Sequence, residues 1–216
     1  MKPHLLKLLS LASSPLASRY EACPLLTEFL HGDELSEFLS IRNGFYAFEQ
    51  ALHVLPSSTS VHCMELSHWN DPDTWHSQYG DIVEGHVFFA EDIFGEQFSV
   101  SSNGIFRFNP EIGSFEFVAS DLEHWAQRIL TDHRTETGWP LAHEWQVAHG
   151  PLAPGQRLVP ATPFFMGGEY TIKNLLALDA VTGMRLRADI YQQTKDLPDG
   201  TQITLLPQAT PLQQRE

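Results

Sequence analysis

The N-terminus of the chain has the apolar spacing of an amphipathic helix. Leu5, Leu8 and Leu9 fall on one helical face, and the two lysines of this segment lie off it. A basic start followed by leucines also has some likeness to a secretory signal peptide. Lys7 interrupts the apolar run, and no small-x-small cleavage site follows it. We therefore expect a first helix over Met1–Ala12 and no signal peptide.

Two further segments combine helical periodicity with a defined boundary. The apolar residues of Asp33–Arg42 are spaced for one helical face, and Asn43-Gly44 supplies a stop. Ser120-Asp121-Leu122-Glu123 is a capping box, in which the serine hydroxyl and the glutamate carboxylate would bond free backbone N–H groups. Apolar residues follow it at helical spacing, so the sequence predicts a helix from about Asp121 to Thr131.

Between these helices, the stretch from His86 to Val118 changes to the period of a strand. Short apolar and alternating runs are separated by turn sequences at Ser102-Asn103-Gly104 and at residues 109–113. In the last hairpin, Arg107 would lie opposite Glu116 on the solvated face as a cross-strand ion pair. We expect an antiparallel meander whose apolar face is closed by the helix that follows it.

The C-terminal part predicts an extension of the same domain. Residues 133–163 have no sustained period, which is typical of a long connection, and its tryptophans would pack it down. Asn174–Asp179 has the pattern of a strand, Thr182–Leu197 that of a helix, and Gln202–Leu206 that of a last strand. We expect an α+β domain over residues 1–135 and a strand-helix-strand extension over residues 136–216, packed on that domain, with a separate subdomain as the alternative.

Composition and charge narrow the function classes. The chain has 216 residues, 42% of them hydrophobic, with 13 basic and 27 acidic residues and a net charge of -14. Nucleic acid and anionic lipid would repel such a protein, and no apolar run approaches the roughly 18 residues that a bilayer demands. Cys23 and Cys63 are too few for a disulfide framework, so we expect a cytoplasmic protein with reduced thiols.

The negative charge is concentrated in one part of the chain. Between Glu21 and Glu123 there are 18 acidic and two basic residues, a net charge of -16, and the remainder carries +2. Such a field would steer a cationic partner and raise its association rate. The distribution therefore favours a basic protein partner for this region.

Motifs for catalysis, metal binding and cofactor binding are mostly absent. The chain has no P-loop, no dinucleotide-binding glycine motif and no nucleophile elbow. His62, Cys63 and His68, with His76 and His86 farther on, could in principle assemble a metal site, but their spacing matches no known ligand pattern. We expect neither a metal nor a cofactor, and no enzymatic activity.

Two groups of side chains leave alternatives open. Glu91 and Asp92, with Glu84 and Glu96 nearby, could supply a carboxylate pair for acid–base work, although a solvated rim is the simpler interpretation. Another group is aromatic and consists of Trp69, Trp75 and Tyr79. These rings could form a platform for protein or sugar recognition, or they could pin a long loop onto the core.

Several of these segments together resemble the SUKH superfamily. The resemblance is carried by Phe88–Phe98, by the Phe106–Phe117 hairpin and by Ser120–Trp125, and it covers about Leu25 to Leu130. Further matches are the helix that ends in Asn43-Gly44, Trp69-Asn70, Trp75 and Gly167-Gly168-Glu169. The superfamily contains the Smi/Knr-type regulators of fungal cell-wall synthesis and many bacterial immunity proteins.

The resemblance implies an α+β fold with a mostly antiparallel twisted sheet and helices packed against it. It also implies a non-enzymatic immunity protein that neutralises a toxin by occluding it, and the acidity of the chain favours a basic toxin such as a nuclease. The candidate contact residues are Asp81, Glu84, Glu91, Asp92 and Glu96, with Trp69, Trp75 and Tyr79 as anchors. The alternatives are a regulatory module that binds small molecules or carbohydrate, and a hydrolase. The oligomeric state stays open.

Overall fold

The computed structural model describes residues 2–28, 31–61, 63–198 and 200–203. The helices of the described residues are α1 (Pro3–Leu11), α2 (Gly32–Ile41), α3 (Leu66–Trp69), α4 (Leu122–Thr131), α5 (His133–Glu136), α6 (Trp139–His149) and α7 (Ala180–Thr194). The strands are β1 (Phe45–Ala47), β2 (Leu52–Val54), β3 (Val87–Asp92), β4 (Gln97–Ser101), β5 (Gly104–Asn109), β6 (Ser114–Ala119), β7 (Gln156–Pro160) and β8 (Leu175–Asp179). The fold class is α+β, as the sequence predicts.

Strands β1 to β6 form one antiparallel sheet in chain order. This arrangement confirms the predicted meander and adds β1 and β2 at one edge, each only three residues long. The central strands β3 and β4 are buried along their whole length, so both of their faces are covered. A register shift between Phe88 and Ala90 also interrupts the simple alternation of faces in β3.

The predicted N-terminal helices are present with nearly the expected bounds. In α1 the buried residues are Leu5, Leu8 and Leu9, the three that periodicity assigns to one face. Helix α2 ends at Ile41, and three residues later Gly44 has φ of +67° and would bring a Cβ to 2.6 Å from the backbone nitrogen of Pro56. Glycine is therefore required there both by the left-handed backbone and by the close approach.

Helix α4 packs against α1, but the predicted capping box is wrong. Asp121 is the N-cap, and its carboxylate accepts a hydrogen bond of 2.9 Å from the backbone N–H of His124. Glu123 instead accepts from the backbone N–H groups of His4 and Leu5, at 2.9 and 3.2 Å. Those donors are free because they lie in the first turn of α1, so the carboxylate stabilises a neighbouring helix and not its own.

The predicted ion pair between Arg107 and Glu116 is also wrong, although the two residues are opposite each other in the β5–β6 register. Arg107 forms an ion pair with Glu136 of α5 at 2.5 Å, and Arg128 of α4 forms an ion pair with Glu116 at 3.1 Å. Arg128 also lies 2.7 Å from Glu136. The helices that close the sheet therefore bring in a second cation and a second carboxylate that strand register cannot foresee.

The predicted long connection over residues 133–163 is wrong, because it contains α5, α6 and β7. Helix α6 gives almost no periodic signal in the sequence, because only Ala142 of its eleven residues is buried. Pro140 does not break the helix because it lies in the first turn, where backbone N–H groups have no intrahelical partner.

The C-terminal segment, which comprises β7, β8 and α7, packs on the large sheet. Strands β7 and β8 pair antiparallel, and the N–H of Leu158 donates to the carbonyl of Ile93 at 2.8 Å. Met184 and Ala188 of α7 are buried in the same core as the sheet. The predicted strand and helix are present, whereas Gln202 and Ile203 are not in a strand, and residues 204–206 lie outside the described residues. Within the described part of the chain, none of the helices is long and apolar enough to cross a membrane.

Candidate functional site

The candidate contact residues separate into an exposed and a buried group. Asp81 and Glu84 are exposed, and Glu96 is half-buried. The remaining five are buried, with exposed fractions of 1% for Trp69, Trp75 and Glu91, 3% for Tyr79 and 4% for Asp92. The prediction that these five residues contact a partner at the surface is wrong, because both faces of β3 are covered and the rings lie in the core.

The aromatic residues pin the loop that follows α3 onto the sheet, which was the second interpretation of this group. The ring of Trp75 packs edge-on against Phe88 of β3 at 4.9 Å between centroids, and it lies 5.9 Å from that of Trp69. The Tyr79 hydroxyl donates to the carbonyl of Pro110 at 2.8 Å. The rings are therefore a rigid support and not a platform for a ligand at the surface.

The two exposed carboxylates of the candidate contact residues, Asp81 and Glu84, lie on this supported loop. We call the loop the acidic segment, Asp71–Glu84. Its four acidic residues, Asp71, Asp73, Asp81 and Glu84, are all exposed, and it contains no lysine or arginine. Burial lowers the pKa of His76 to about 4, so this histidine is neutral at pH 7. The segment therefore carries four negative charges on a fixed backbone.

Helix α7 holds the acidic segment from its other side. Arg185 donates to the carbonyls of Thr74 and Asp73 at 2.7 and 3.0 Å, and Gln192 donates to that of Gln78 at 2.6 Å. These bonds go to backbone oxygens and leave the carboxylates available. The C-terminal segment thus fixes the loop that bears the surface charge.

A second group of polar side chains is buried beneath the sheet edge. Glu91 Oε1 lies 2.8 Å from His53 Nδ1 and 2.8 Å from Arg157 Nε. Glu91 Oε2 accepts from the Gln97 amide at 3.1 Å, and the Gln97 oxygen accepts from the Trp69 indole N–H at 2.9 Å. We call His53, Glu91 and Arg157 the buried triad.

The charges of the buried triad follow from its geometry. Burial acts to raise the pKa of Glu91, but the Arg157 guanidinium and the bond to His53 outweigh it and lower the pKa to about 2. Burial lowers the pKa of His53. Because its pKa is lowered, His53 is neutral at pH 7. Glu91 is an anion and can only accept a hydrogen bond, so the proton of the His53 ring is on Nδ1, which donates to Glu91. Arg157 also donates to the carbonyl of Gln50 at 3.2 Å.

Sequence reasoning missed two members of this triad. His53 lies in a strand of three residues, too short for a periodicity signal, and Arg157 lies in β7 directly before the apolar residues Leu158–Pro160. A charged residue in a buried strand is itself a signal, since a fully buried arginine needs a nearby anion. Arg157 is 0% exposed, and Glu91 is that anion.

Asp92 has a different role from its neighbour. Its Oδ1 accepts from the backbone N–H groups of Phe94 and Glu96, both at 2.9 Å, and so holds the β3–β4 turn. Burial, and next the negative charge of Glu96, raise the pKa of Asp92 well above its usual value. Neither Asp92 nor Glu91 forms the solvated rim that the sequence favoured, and the two carboxylates bind separate groups.

A cavity of about 320 Å³ adjoins the buried triad. It is lined by His53, Leu55, Thr59, Ser60, Cys63, Met64, Glu65, His68, Trp69, Glu91, Pro154, Gly155, Asp179, Ala180 and Val181. Burial raises the pKa of Cys63 to about 11, so its thiol is protonated at neutral pH and a poor nucleophile. Among the described residues, no three or more His, Cys, Asp or Glu side chains are arranged to hold a metal ion. His62 lies outside them.

Comparison with known proteins bears on the fold. No family model matches the chain, and no curated protein matches it. The chain is similar to the crystal structure of Atu4351 from Agrobacterium tumefaciens, with 11% sequence identity and a TM-score of 0.52. The likeness covers 83% of this chain and 86% of that chain. It is a likeness of fold alone.

Proposed function

We propose that the chain is a non-enzymatic immunity protein that neutralises a basic toxin, such as a nuclease, through the acidic segment. The observation that carries the proposal is the set of four exposed carboxylates, without lysine or arginine, on a loop fixed by core aromatics and by α7. A rigid surface of one charge sign steers an oppositely charged partner and loses little entropy on binding.

The resemblance to the SUKH superfamily supports the same proposal from the sequence side. It names a class of proteins that act by occluding a partner, which agrees with the absence of catalytic motifs from the sequence. The proposal includes a cytoplasmic location, where thiols are kept reduced, and the two cysteines are free. It includes no direct contact with nucleic acid or membrane. Buried Glu91, Asp92, Trp69, Trp75 and Tyr79 act in it only by holding the surface in place.

The test begins with the products of the adjacent genes. Each is expressed in cells with and without this chain, and binding is measured on the purified pair by calorimetry. We expect one neighbour to be toxic, to bind, and to be neutralised by co-expression. Absence of both binding and protection for every neighbour would contradict the proposal.

Charge-neutralised variants test the surface. The variant carries Asp71→Asn, Asp73→Asn, Asp81→Asn and Glu84→Gln, and its matched control carries Glu21→Gln, Glu144→Gln, Glu169→Gln and Asp196→Asn, which are also exposed. Both lose four negative charges, so only position differs. We expect the first to bind the toxin at least about tenfold more weakly and the control to bind nearly as wild type. Equal affinities would rule out the acidic segment as the contact.

A second candidate is a regulatory module that binds a small molecule or carbohydrate. It is favoured by the cavity beside the buried triad, which Trp69 helps to line. Trp75 and Tyr79 do not line this cavity, so the expected aromatic groove for a sugar is not formed by the three rings together. A thermal-shift panel of glycans and nucleotides separates this candidate from the immunity protein, for which no shift is expected.

A further inference from the structure

The two edge strands of the large sheet differ in how their backbone is covered. At β1 the segment after α1 lies along the edge: the N–H of Ser13 donates to the carbonyl of Tyr46 at 2.7 Å, and the N–H of Tyr46 donates to the Ser13 hydroxyl at 3.0 Å. At β6, within the residues that the structure describes, the backbone groups of Ser114–Phe117 bond only to β5. Backbone groups of a strand point alternately to its two sides, so those that face away from β5 are free.

The open edge carries aromatic side chains on one face. Phe115 and Phe117 alternate with polar residues in β6, so their two rings lie on the same face. Phe117 is 53% exposed, and its ring centroid is 5.5 Å from that of Phe106 in β5. The ring of His86 stacks on Phe115 at 4.0 Å. An apolar strip thus runs beside the free backbone groups.

Strand β6 lacks the usual protection of an exposed edge. Natural edge strands are commonly blocked by lysine, proline or a bulge. Ser114–Phe117 contains neither lysine nor proline, and the charge of Glu116 is compensated by Arg128 at 3.1 Å. The register shift of this strand pair falls opposite Val118, beyond the open residues. Nothing in Ser114–Phe117 therefore prevents the addition of another strand.

The open edge adjoins the acidic segment. An added Cβ at Gly113, directly before β6, would lie 3.0 Å from the Cδ1 atom of Ile82. Ile82 follows Asp81 and is itself 37% exposed. At the other side, Glu84 and His86 line a common cavity of about 340 Å³. The acidic segment and the apolar strip of β6 thus form one continuous surface.

The charge of this surface decides which strand it fits. A second copy of the chain would bring its own net charge of -14. An antiparallel pair of β6 strands centred on Glu116 would also place two glutamates directly opposite each other, which is destabilising. A strand with lysine or arginine side chains would instead be attracted by Asp81 and Glu84. The surface therefore fits a basic partner better than a second copy.

We propose that a strand of the basic toxin adds to β6 along Ser114–Phe117. An apolar side chain of that strand lies on Phe117, and a basic side chain lies near Asp81 and Glu84. In such complexes the backbone hydrogen bonds supply affinity and the alternate side chains supply specificity. This inference rests on the proposed function and names the place where the toxin pairs.

The first test uses the adjacent gene product that binds the chain. Amide hydrogen exchange is measured on the full chain alone and in the complex. We expect the free N–H groups of Ser114–Phe117 to exchange at least about tenfold more slowly in the complex, because they then donate to the toxin. A complex that the four charge substitutions weaken, but that leaves this exchange unchanged, would overturn strand addition and leave the proposed function in place.

Synthetic strands test the edge without any toxin, so this result does not depend on the proposed function. The probe is acetyl-Lys-Val-Lys-Val-Lys-Val-amide, titrated into the ¹⁵N-labelled full chain. One control has glutamate in place of lysine, and the other is methylated on every backbone nitrogen, which removes its N–H donors. We expect saturable binding of the probe alone, with resonance changes at Ser114–Phe117. No saturable binding, equal binding of the methylated peptide, or changes confined to the acidic segment would overturn the proposal.

Two variants test the apolar anchor. Phe117→Ser changes the exposed ring of β6, and its matched control, Val147→Ser, changes a residue of α6 that is 74% exposed. We expect Phe117→Ser to bind the lysine peptide at least about fivefold more weakly and Val147→Ser to bind it as wild type does. Equal affinities would contradict the anchor. Sedimentation of the chain alone should show a monomer, and a dimer that Phe117→Ser abolishes would assign the edge to a second copy and overturn the proposal.

Discussion

Replacing Arg157 by methionine should strongly destabilise the protein. Arg157 is 0% exposed and its partner Glu91 is 1% exposed, so the substitution leaves a buried carboxylate without its cation. Breaking a buried pair in this way costs about 3–5 kcal/mol in the free energy of unfolding. For a chain of this size the melting temperature should fall by about 6 to 20 °C.

The pH dependence follows from the pKa of Glu91. In the wild type this pKa is lowered from 4.5 to about 2, which corresponds to about 3 kcal/mol of stability. Because the folded pKa is depressed, that stability is fully present above pH 4.5 and is lost as pH falls towards 2. In Arg157→Met the opposing cation is gone and burial raises the pKa of Glu91, so the deficit should be largest at pH 7 and smaller near pH 4.

Urea denaturation at pH 7 and pH 4 provides the measurement, with three further variants. Arg157→Met combined with Glu91→Gln restores neutrality and should recover most of the loss, because glutamine still accepts from His53. Glu91→Gln alone should be destabilising, since it leaves the buried guanidinium unpaired. Arg19→Met, at an exposed position, should cost less than about 1 kcal/mol. A loss at Arg157 as small as that at Arg19, or a double variant as unstable as the sum of both singles, would refute the reasoning.

Three smaller changes have equally definite outcomes. Asp92→Asn should be neutral or stabilising at pH 7 in thermal melts, and increasingly stabilising as pH rises, because it removes a carboxylate whose pKa is raised in the folded protein. Asparagine still accepts the two hydrogen bonds of the turn. Asp92→Ala loses those bonds and should cost about 2 kcal/mol. Glu123→Ala should release the first turn of α1, seen as faster amide hydrogen exchange there, at a cost of about 1–2 kcal/mol; unchanged exchange would contradict it. Gly44→Ala should cost clearly more in urea denaturation than Gly85→Ala: both glycines have positive φ, but an added Cβ meets Pro56 at 2.6 Å only at Gly44. Equal costs would show that backbone strain alone decides.

The fold was predictable wherever its signal is local. Helices α1, α2, α4 and α7 and the hairpins of the meander follow from periodicity and turn residues within about ten positions of one another. Helix α6 was missed because its face towards the core is only one residue wide, so its sequence has almost no period. Strand β2, at three residues, is below the length at which alternation can be recognised.

The candidate site was less predictable because burial of a charge depends on distant partners. Glu91 follows an apolar run and looks like the start of a loop, and only the packing of β7 brings Arg157 within 2.8 Å of it. Trp75 and Tyr79 are anchors of the core and not of an interface, which the alternative loop-pinning interpretation had allowed. Asp81 and Glu84, in contrast, are exposed, as a solvated acidic surface requires.

The pairing of Glu91 with Arg157 also constrains how this protein can change in evolution. The carboxylate belongs to the meander and the cation to the β7–β8 hairpin, so each segment carries a buried charge that only the other neutralises. A relative without the C-terminal segment should therefore have a neutral residue at the position of Glu91. A lineage that gains or loses the hairpin must change both positions nearly together, because each intermediate leaves one buried charge unpaired.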